Sequence, residues 1–226
     1  MSWNVHGFVG FDRIRSLERV ADVLRGFDAD VVALQEVDAG REDEDAFEVL
    51  GPELGLAAVE GPTLRRGGAR YGNLLLVRHP LLGVERIDLS QPGAEPRGAI
   101  DARLEIGRLG VRVVATHLGL RRRERALQAR RLCDALGAPA DGDELVVLLG
   151  DLNEWRRPLR ATGLAPLAGR FAKRTRLRTF PSRAPLFALD RVMVDRAEVA
   201  LRTHAVDTRR ARTASDHLPV YATIAL

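Results

Sequence analysis

The chain has 226 residues, 46% hydrophobic and 29% charged, a composition that fits one large globular domain spanning 1–226 with a sizeable core. Its net charge of +4 and pI of about 10.1 come almost wholly from arginine, since Lys173 is the only lysine. No apolar run approaches the ~20 residues of a membrane span, no basic-then-apolar leader opens the chain, and the lone Cys133 leaves no internal disulfide, so a cytoplasmic setting is expected.

Taken in order, Met1 to Val5 reads as a short strand. Asp12 is a candidate cap for a helix in which Ile14, Leu17, Val20, Leu24 and Phe27 recur at helical spacing, with Gly26 marking its end. Val31 to Glu36 is a buried strand that finishes on a carboxylate. Arg41 to Glu48, rich in acids, opens a second helix running to about Leu54, where negative charge suits the helix dipole. From Leu56 the period changes to that of strands: Leu56 to Glu60, Gly72 to Val77, Leu82 to Leu89, Gly98 to Ile106 and Leu109 to His117. Arg121 to Leu136 is a helix, and Pro139 to Glu144 a loop. Leu145 to Leu149 is an apolar strand that stops abruptly at Gly150-Asp151-Leu152-Asn153, where a Cβ at position 150 would crowd the turn away from the sheet. A short helix is expected near Pro158 to Thr162, and strands at Arg178 to Phe180, Leu189 to Val194, Val199 to His204 and Leu218 to Leu226. Many strands with few helices, in mixed order, predict an α/β architecture with two sheets packed face to face and helices outside.

One pattern recurs along the chain. Polar residues stand at the ends of separate apolar strands: Asn4, Glu36, His117, Asp151 with Asn153, Asp190, and Asp216-His217 just before the last strand. Each alone has a structural explanation as a turn, a cap or a satisfied core group. Together they predict convergence on one rim. Glu36, Asp151, Asp216, Asn4 and Asn153 offer only oxygen donors toward a cation, which suits Mg²⁺, Ca²⁺ or Mn²⁺. There is no Cys-x-x-Cys and no His-Glu-x-x-His, which argues against zinc. His117 and His217 add groups that change charge near neutral pH. A hard cation, carboxylates and two imidazoles suit phosphoester hydrolysis. The chain has no Gly-x-Ser-x-Gly elbow, no Walker A loop and no Gly-x-Gly-x-x-Gly after a strand.

Seven segments carry a resemblance: Ser2-Trp3-Asn4-Val5-His6-Gly7, Leu34-Gln35-Glu36-Val37-Asp38, Gly72-Asn73-Leu74-Leu75-Leu76-Val77-Arg78-His79-Pro80, Thr116-His117-Leu118, Gly150-Asp151-Leu152-Asn153, Leu189-Asp190-Arg191-Val192 and Ser215-Asp216-His217-Leu218-Pro219. In order and from end to end they resemble the endonuclease/exonuclease/phosphatase superfamily, which has the deoxyribonuclease-I-like fold. The resemblance implies a four-layered α/β sandwich, two packed mixed β-sheets flanked by helices. It implies Mg²⁺, with Mn²⁺ as the alternative, on Glu36 with Asn4 and Asp216 close by. Asp151 would orient or deprotonate water, and Asn153 would hold a phosphate oxygen or that water. His217, oriented by Asp190, would act as acid/base or phosphate ligand, and His117 would stabilise the charged phosphate. In one branch an acidic residue supports the first histidine; here Asn73 is the nearest candidate.

Fold membership does not choose the substrate. Arg121 and Arg122 follow the His117 strand, and Arg156 follows the Asp-x-Asn loop, with Trp155 beside it as a stacking surface. These favour a phosphodiester polyanion, DNA first. A phospholipid or small phosphoester is the alternative, and a non-catalytic scaffold of the same fold the second alternative. No obligate protein partner is evident.

Overall fold

The computed structural model describes residues 1–40, 45–137, 144–156 and 158–225. In chain order the elements are β1 (Ser2–Asn4), α1 (Leu17–Arg25), β2 (Val31–Asp38), α2 (Ala46–Leu54), β3 (Ala57–Arg66), β4 (Ala69–Val77), β5 (Leu81–Asp88), β6 (Gly98–Ile106), β7 (Leu109–His117), α3 (Arg122–Leu136), β8 (Leu145–Asp151), α4 (Ala165–Arg170), β9 (Lys173–Arg174), β10 (Asp190–Val194), β11 (Ala200–Ala205), α5 (Arg209–Ala214) and β12 (Val220–Ala225). Among the described residues the strands form two six-stranded sheets, ordered β11-β12-β1-β2-β4-β3 and β5-β6-β7-β8-β10-β9.

Side-chain alternation along each strand builds the layers. On β4, Leu74 and Leu76 join Trp3, Leu34, Val20 and Phe47 under α1, α2 and α5, while Leu75 and Val77 face the other sheet. On β7, Val113 and Ala115 meet them between the sheets, while Val114 points outward to Leu132 and Leu136 of α3 and Leu167 of α4. Three apolar clusters thus separate four layers, helix, sheet, sheet and helix: the four-layered α/β sandwich.

Topology fixes where polar groups gather. The pairs β1–β2 and β7–β8 are parallel, so the carboxyl ends of all four strands share an edge with Asn4, Glu36, His117 and Asp151. Strand β10 runs antiparallel to β8, so its first residue, Asp190, falls at the same edge. Register then places His117 opposite Asp151, and Asp151 opposite Asp190, in one row across three strands.

Several local expectations need correction. Ser16, not Asp12, caps α1, through a bond from the Arg19 N–H; Asp12 instead accepts from the Ile14 N–H and pairs with Arg19. Asp45 caps α2; the acidic run before it lies outside the described residues, as does most of the 139–144 loop. Arg178 to Phe180 is not a strand: it keeps one bridge, Phe180 to Phe187, in a tight loop. The helix near Pro158 is a single 3₁₀ turn, Leu159–Ala161. Helices α4 and α5 and strand β9 span six, six and two residues, too few to show a period in the sequence. Strand β8 runs on through Gly150 to Asp151, and a Cβ at Gly150 would lie 1.8 Å from the Thr116 carbonyl oxygen of β7.

Candidate active site

The rim assembles from backbone features that present polar groups. A register shift in β2, between Leu34 and Val37, makes a bulge that re-aims Glu36, whose φ is +56°. His6 and Asn153 also have positive φ, +49° and +51°, an arrangement uncommon outside glycine and concentrated at functional sites. Buried Trp3 donates its indole N–H to the His217 carbonyl (2.9 Å), and Ser215 Oγ donates to the Asn4 carbonyl (2.7 Å). These bonds tie the 215–217 turn to the end of β1.

Asn4 sits at the centre. Its Nδ2 donates to Glu36 Oε1 (2.9 Å) and to Asp151 Oδ2 (3.1 Å), and its Oδ1 accepts from the His6 backbone N–H (3.0 Å). The amide therefore clamps two carboxylates, with its oxygen turned to the backbone rather than toward a cation. Tyr71 OH donates to the other Glu36 oxygen (2.8 Å). Burial opposes the Glu36 charge, yet its partners bring the carboxyl down to about 2. The His117 ring favours that charge, but burial keeps this ring neutral above about pH 4. At neutral pH the Asn4 and Tyr71 hydrogen bonds are therefore what hold Glu36 ionised. Burial pushes the Asp216 carboxyl up, with the Glu36 charge adding to it.

The two catalytic candidates of imidazole type differ in charge state. His117 is 4% exposed, and burial, with Arg97 nearby, lowers it to about 4. Its Nε2 accepts from Asn153 Nδ2 (3.0 Å), which also donates to the Leu118 carbonyl (2.8 Å). Both amide protons of Asn153 are thus committed to holding the His117 strand end, and its backbone N–H donates to Asp151 Oδ1 (2.9 Å). Burial also works against a charged His217, but Asp190, 2.9 Å from His217 Nδ1, overrides it and raises the ring to about 10. Thr179 Oγ1 donates to the same Asp190 oxygen, while Asp190 Oδ1 has no hydrogen-bond partner among the described residues.

Around one gap stand Asp151 Oδ2, 3.6 Å from His117 Nε2 and 3.8 Å from His217 Nε2, and Glu36 Oε1, 3.9 Å from His117 Nε2. These separations are too long for direct hydrogen bonds and leave room for an oxygen shared among the groups. His6, which sequence reasoning did not single out, projects Nδ1 to 3.4 Å from Asp216 and 3.8 Å from Glu36. Among described residues, one set of three acid or histidine donor atoms lies mutually within 4.8 Å: Asp151, Asp190 and His217. Two of those are already bonded to each other, whereas Glu36 and Asp216 keep oxygens facing the more open His6 side. The carboxylate chemistry of the rim fits a divalent cation.

The expected substrate groups sit farther out. Trp155 is 43% exposed and meets Phe187 (4.7 Å) and Phe180 (5.6 Å) edge-on, and Phe180 packs 4.8 Å from the His217 ring. Arg156 and Arg122 are exposed; Arg121 precedes α3 and donates to the Gly93 carbonyl (3.3 Å). Asn73 does not reach His117: its Nδ2 donates to the Gly98 carbonyl (3.1 Å). Tyr71 and Thr179 were also missed. Tyr71 directly precedes the Gly72-Asn73 segment, whereas nothing in the sequence links Thr179 to Asp190.

The Endonuclease/Exonuclease/phosphatase family matches residues 1–217. Uncharacterized protein YbhP of Escherichia coli (strain K12) is 34% identical over 241 residues, covering 99% of this chain and 94% of that protein. Among solved structures, the Bacteroides thetaiotaomicron mannosyl-6-phosphatase Bt3783 superposes with a TM-score of 0.75 at 15% identity, over 100% of this chain and 98% of that one. The D. rerio TDP2 complexed with single strand DNA product superposes with a TM-score of 0.70 at 19% identity, over 100% and 97%. At such identities the two structures speak to the fold.

Proposed function

We propose, for a chain that belongs to the Endonuclease/Exonuclease/phosphatase family, that it is a divalent-metal-dependent phosphodiester hydrolase whose first substrate is DNA. The observation that carries the hydrolase reading is the gap bounded by Glu36, His117, Asp151 and His217, with one imidazole neutral and the other charged. Two titratable groups driven apart in this way suit acid and base roles at one pH.

Glu36 and Asp216 would hold Mg²⁺ or Mn²⁺, which when bound supplies charge neutralisation at phosphate oxygens. Asp151 takes the proton of the attacking water; its second oxygen is fixed by the Asn153 N–H, so one oxygen faces the gap. His217, charged and aligned by Asp190, donates from Nε2 to the phosphate or the leaving oxygen. Asn4 and Asn153 position the carboxylates and His117 rather than touching substrate.

DNA is favoured by charge. Residues 155–189 contain nine basic residues and no acidic one, in a chain with 35 basic and 31 acidic overall. Exposed Arg156, Arg178 and Arg183 and the Trp155–Phe187 pair belong to this segment, whose aromatic face reaches the His217 ring through Phe180 (4.8 Å). Such a face suits a polyanion with planar bases. A second reading, a lipid phosphodiester, draws on exposed Leu186 beside Phe187. The test offers plasmid DNA, single-stranded DNA, a choline phospholipid and a sugar phosphate to the protein with Mg²⁺, Mn²⁺ or chelator. Metal-dependent DNA cleavage is expected. Turnover of lipid or sugar phosphate alone would replace the DNA reading, and no turnover of any of them would favour a scaffold.

A further inference from the structure

We propose that Arg125 and Glu154 are positioning residues: their buried ion pair ties the ends of β7 and β8 together and so holds Asn153 against His117, beside Asp151. The inference rests on the reading of His117, Asp151 and Asn153 as the reacting rim, and adds two residues that act through Asn153 rather than on substrate.

The two strand ends need a tie. Strands β7 and β8 run parallel, with His117 opposite Asp151. Parallel neighbours have no hairpin turn to fix their ends to each other. Just past this pair the Leu118 N–H still donates to the Asp151 carbonyl (3.0 Å). Both chains then leave the sheet, one toward α3 and the other into the turn where Asn153 has a φ of +51°. Such a backbone conformation persists where the surrounding contacts over-determine it.

Arg125 supplies those contacts. It lies near the start of α3, and both it and Glu154 are buried. Its Nη1 donates to the Gly119 (3.2 Å) and Leu120 (2.6 Å) carbonyls beyond β7, and its Nη2 donates to Glu154 Oε2 (3.2 Å) beyond β8. A rigid guanidinium fork can serve both sides at once, which a point-like ammonium cannot. Glu154 Oε1 accepts from the Arg156 N–H (3.1 Å), so both carboxylate oxygens are engaged. Gln128 of α3 fixes the same segment: its Oε1 accepts from the Gly119 N–H (2.8 Å) and its Nε2 donates to the Leu89 carbonyl (3.1 Å). On the near side of Asn153, the Leu152 N–H donates to the Leu189 carbonyl (3.0 Å). Asn153 is thus held from both ends, and its Nδ2 reaches back to His117 Nε2 (3.0 Å) and the Leu118 carbonyl (2.8 Å).

Stability alone does not account for such a pair. Two charges taken out of water recover little net stability from each other. What the pair provides is placement. A slip of about 1 Å at a reacting group costs on the order of 100-fold in rate. The same turn carries Trp155, so a slip there would also shift the ring that meets Phe187.

The test uses full-length protein carrying Arg125→Met and Glu154→Leu together, which removes both charges at similar volume and leaves neither buried alone. Urea unfolding followed by circular dichroism checks the fold. Nitrogen-15 NMR of the histidine rings in the metal-free protein reads whether His117 Nε2 still accepts a hydrogen bond, with His117→Gln identifying the resonance. Hydrolysis of a bis-aryl phosphodiester with Mn²⁺ gives kcat and KM. In the folded double variant the His117 Nε2 resonance is expected to move toward that of an imidazole nitrogen without a donor. There kcat should fall about 100-fold, with KM within about three-fold. If the double variant does not fold, Arg125→Lys, which keeps a charge beside Glu154 without the fork, decides by the same two readings. A His117 resonance that stays in place in a folded variant overturns the proposal, whatever the rate does. A resonance that moves while kcat holds removes Asn153 and His117 from the reaction and overturns it too. If the unaltered protein hydrolyses nothing, the hydrolase reading fails, and the resonance alone still decides whether the pair holds Asn153.

Discussion

At the scale of residues, the candidate site sets two histidines in opposite states. His117 is buried neutral because burial outweighs the Asp151 and Glu36 carboxylates beside it, and His217 is buried charged because the bonded Asp190 overrides its burial. Each makes stability depend on pH with its own sign. The folded His117 value, about 4, lies below the ordinary 6.5, so its contribution is present above pH 6.5 and lost as pH falls through 4. The folded His217 value, about 10, lies above 6.5, so its contribution is present below pH 6.5 and lost as pH rises through 10. Denaturant unfolding of the metal-free protein should therefore show greatest stability near pH 6.5. The acid limb, worth about 3 kcal/mol from the size of the His117 shift, should flatten in His117→Gln; an unchanged limb there would assign the acid sensitivity to other groups. The Tyr71 hydroxyl donates to Glu36 while its ring, under Arg66, is kept by phenylalanine, so Tyr71→Phe should weaken cation binding about ten-fold with the fold intact, as read by calorimetry beside circular dichroism. Most candidate residues were legible because each stood at a strand end, where polar type is costly without a use. His6 and Tyr71 were not, because a left-handed turn and a cross-strand contact decide where they point, and neither leaves a mark in spacing.

At the scale of elements, the row His117, Asp151, Asp190 depends on the register of β7, β8 and β10, and that register depends on close backbone contact at Gly150. Gly150→Ala would drive a methyl into the Thr116 carbonyl. It should destabilise by about 3 kcal/mol and abolish turnover together, the midpoint in urea being the check; a stable, active variant would mean that the strands can part without cost. Strands β6 and β7 are found where alternation and turn residues put them, at Gly98–Ile106 and Leu109–His117. The bulge that aims Glu36 was not legible, since Gln35 and Glu36 read simply as the polar end of the strand. Arg178 to Phe180 was misread as a strand because Arg-Thr-Phe has strand propensity, but its bonds go to Phe187, Asp190 and Leu218.

At the scale of the whole molecule, two mixed sheets pool the carboxyl ends of their parallel strand pairs on one edge, and the Trp155, Phe187 and Phe180 rings of the acid-free stretch pack beside it. Mixed strand order and three separate apolar sets made the four layers readable, whereas the contact of Phe180 with the His217 ring follows from packing. If DNA is the substrate, binding to a short oligonucleotide in chelator should weaken steeply with salt. Arg156→Ala and Arg178→Ala should each lower the slope of that dependence by about one. No salt dependence would discard the polyanion reading and leave the hydrolase reading standing. The central claim is that these residues form a metal-dependent phosphodiesterase. Its most direct measurement is hydrolysis of a generic bis-aryl phosphodiester by the protein and by Asp151→Asn, each with Mn²⁺ and with chelator. The account predicts turnover only for the unaltered protein with metal, and a fall of about a thousand-fold or more in kcat for Asp151→Asn at unchanged fold. Equal rates in protein and variant, or a rate indifferent to chelator, would contradict it.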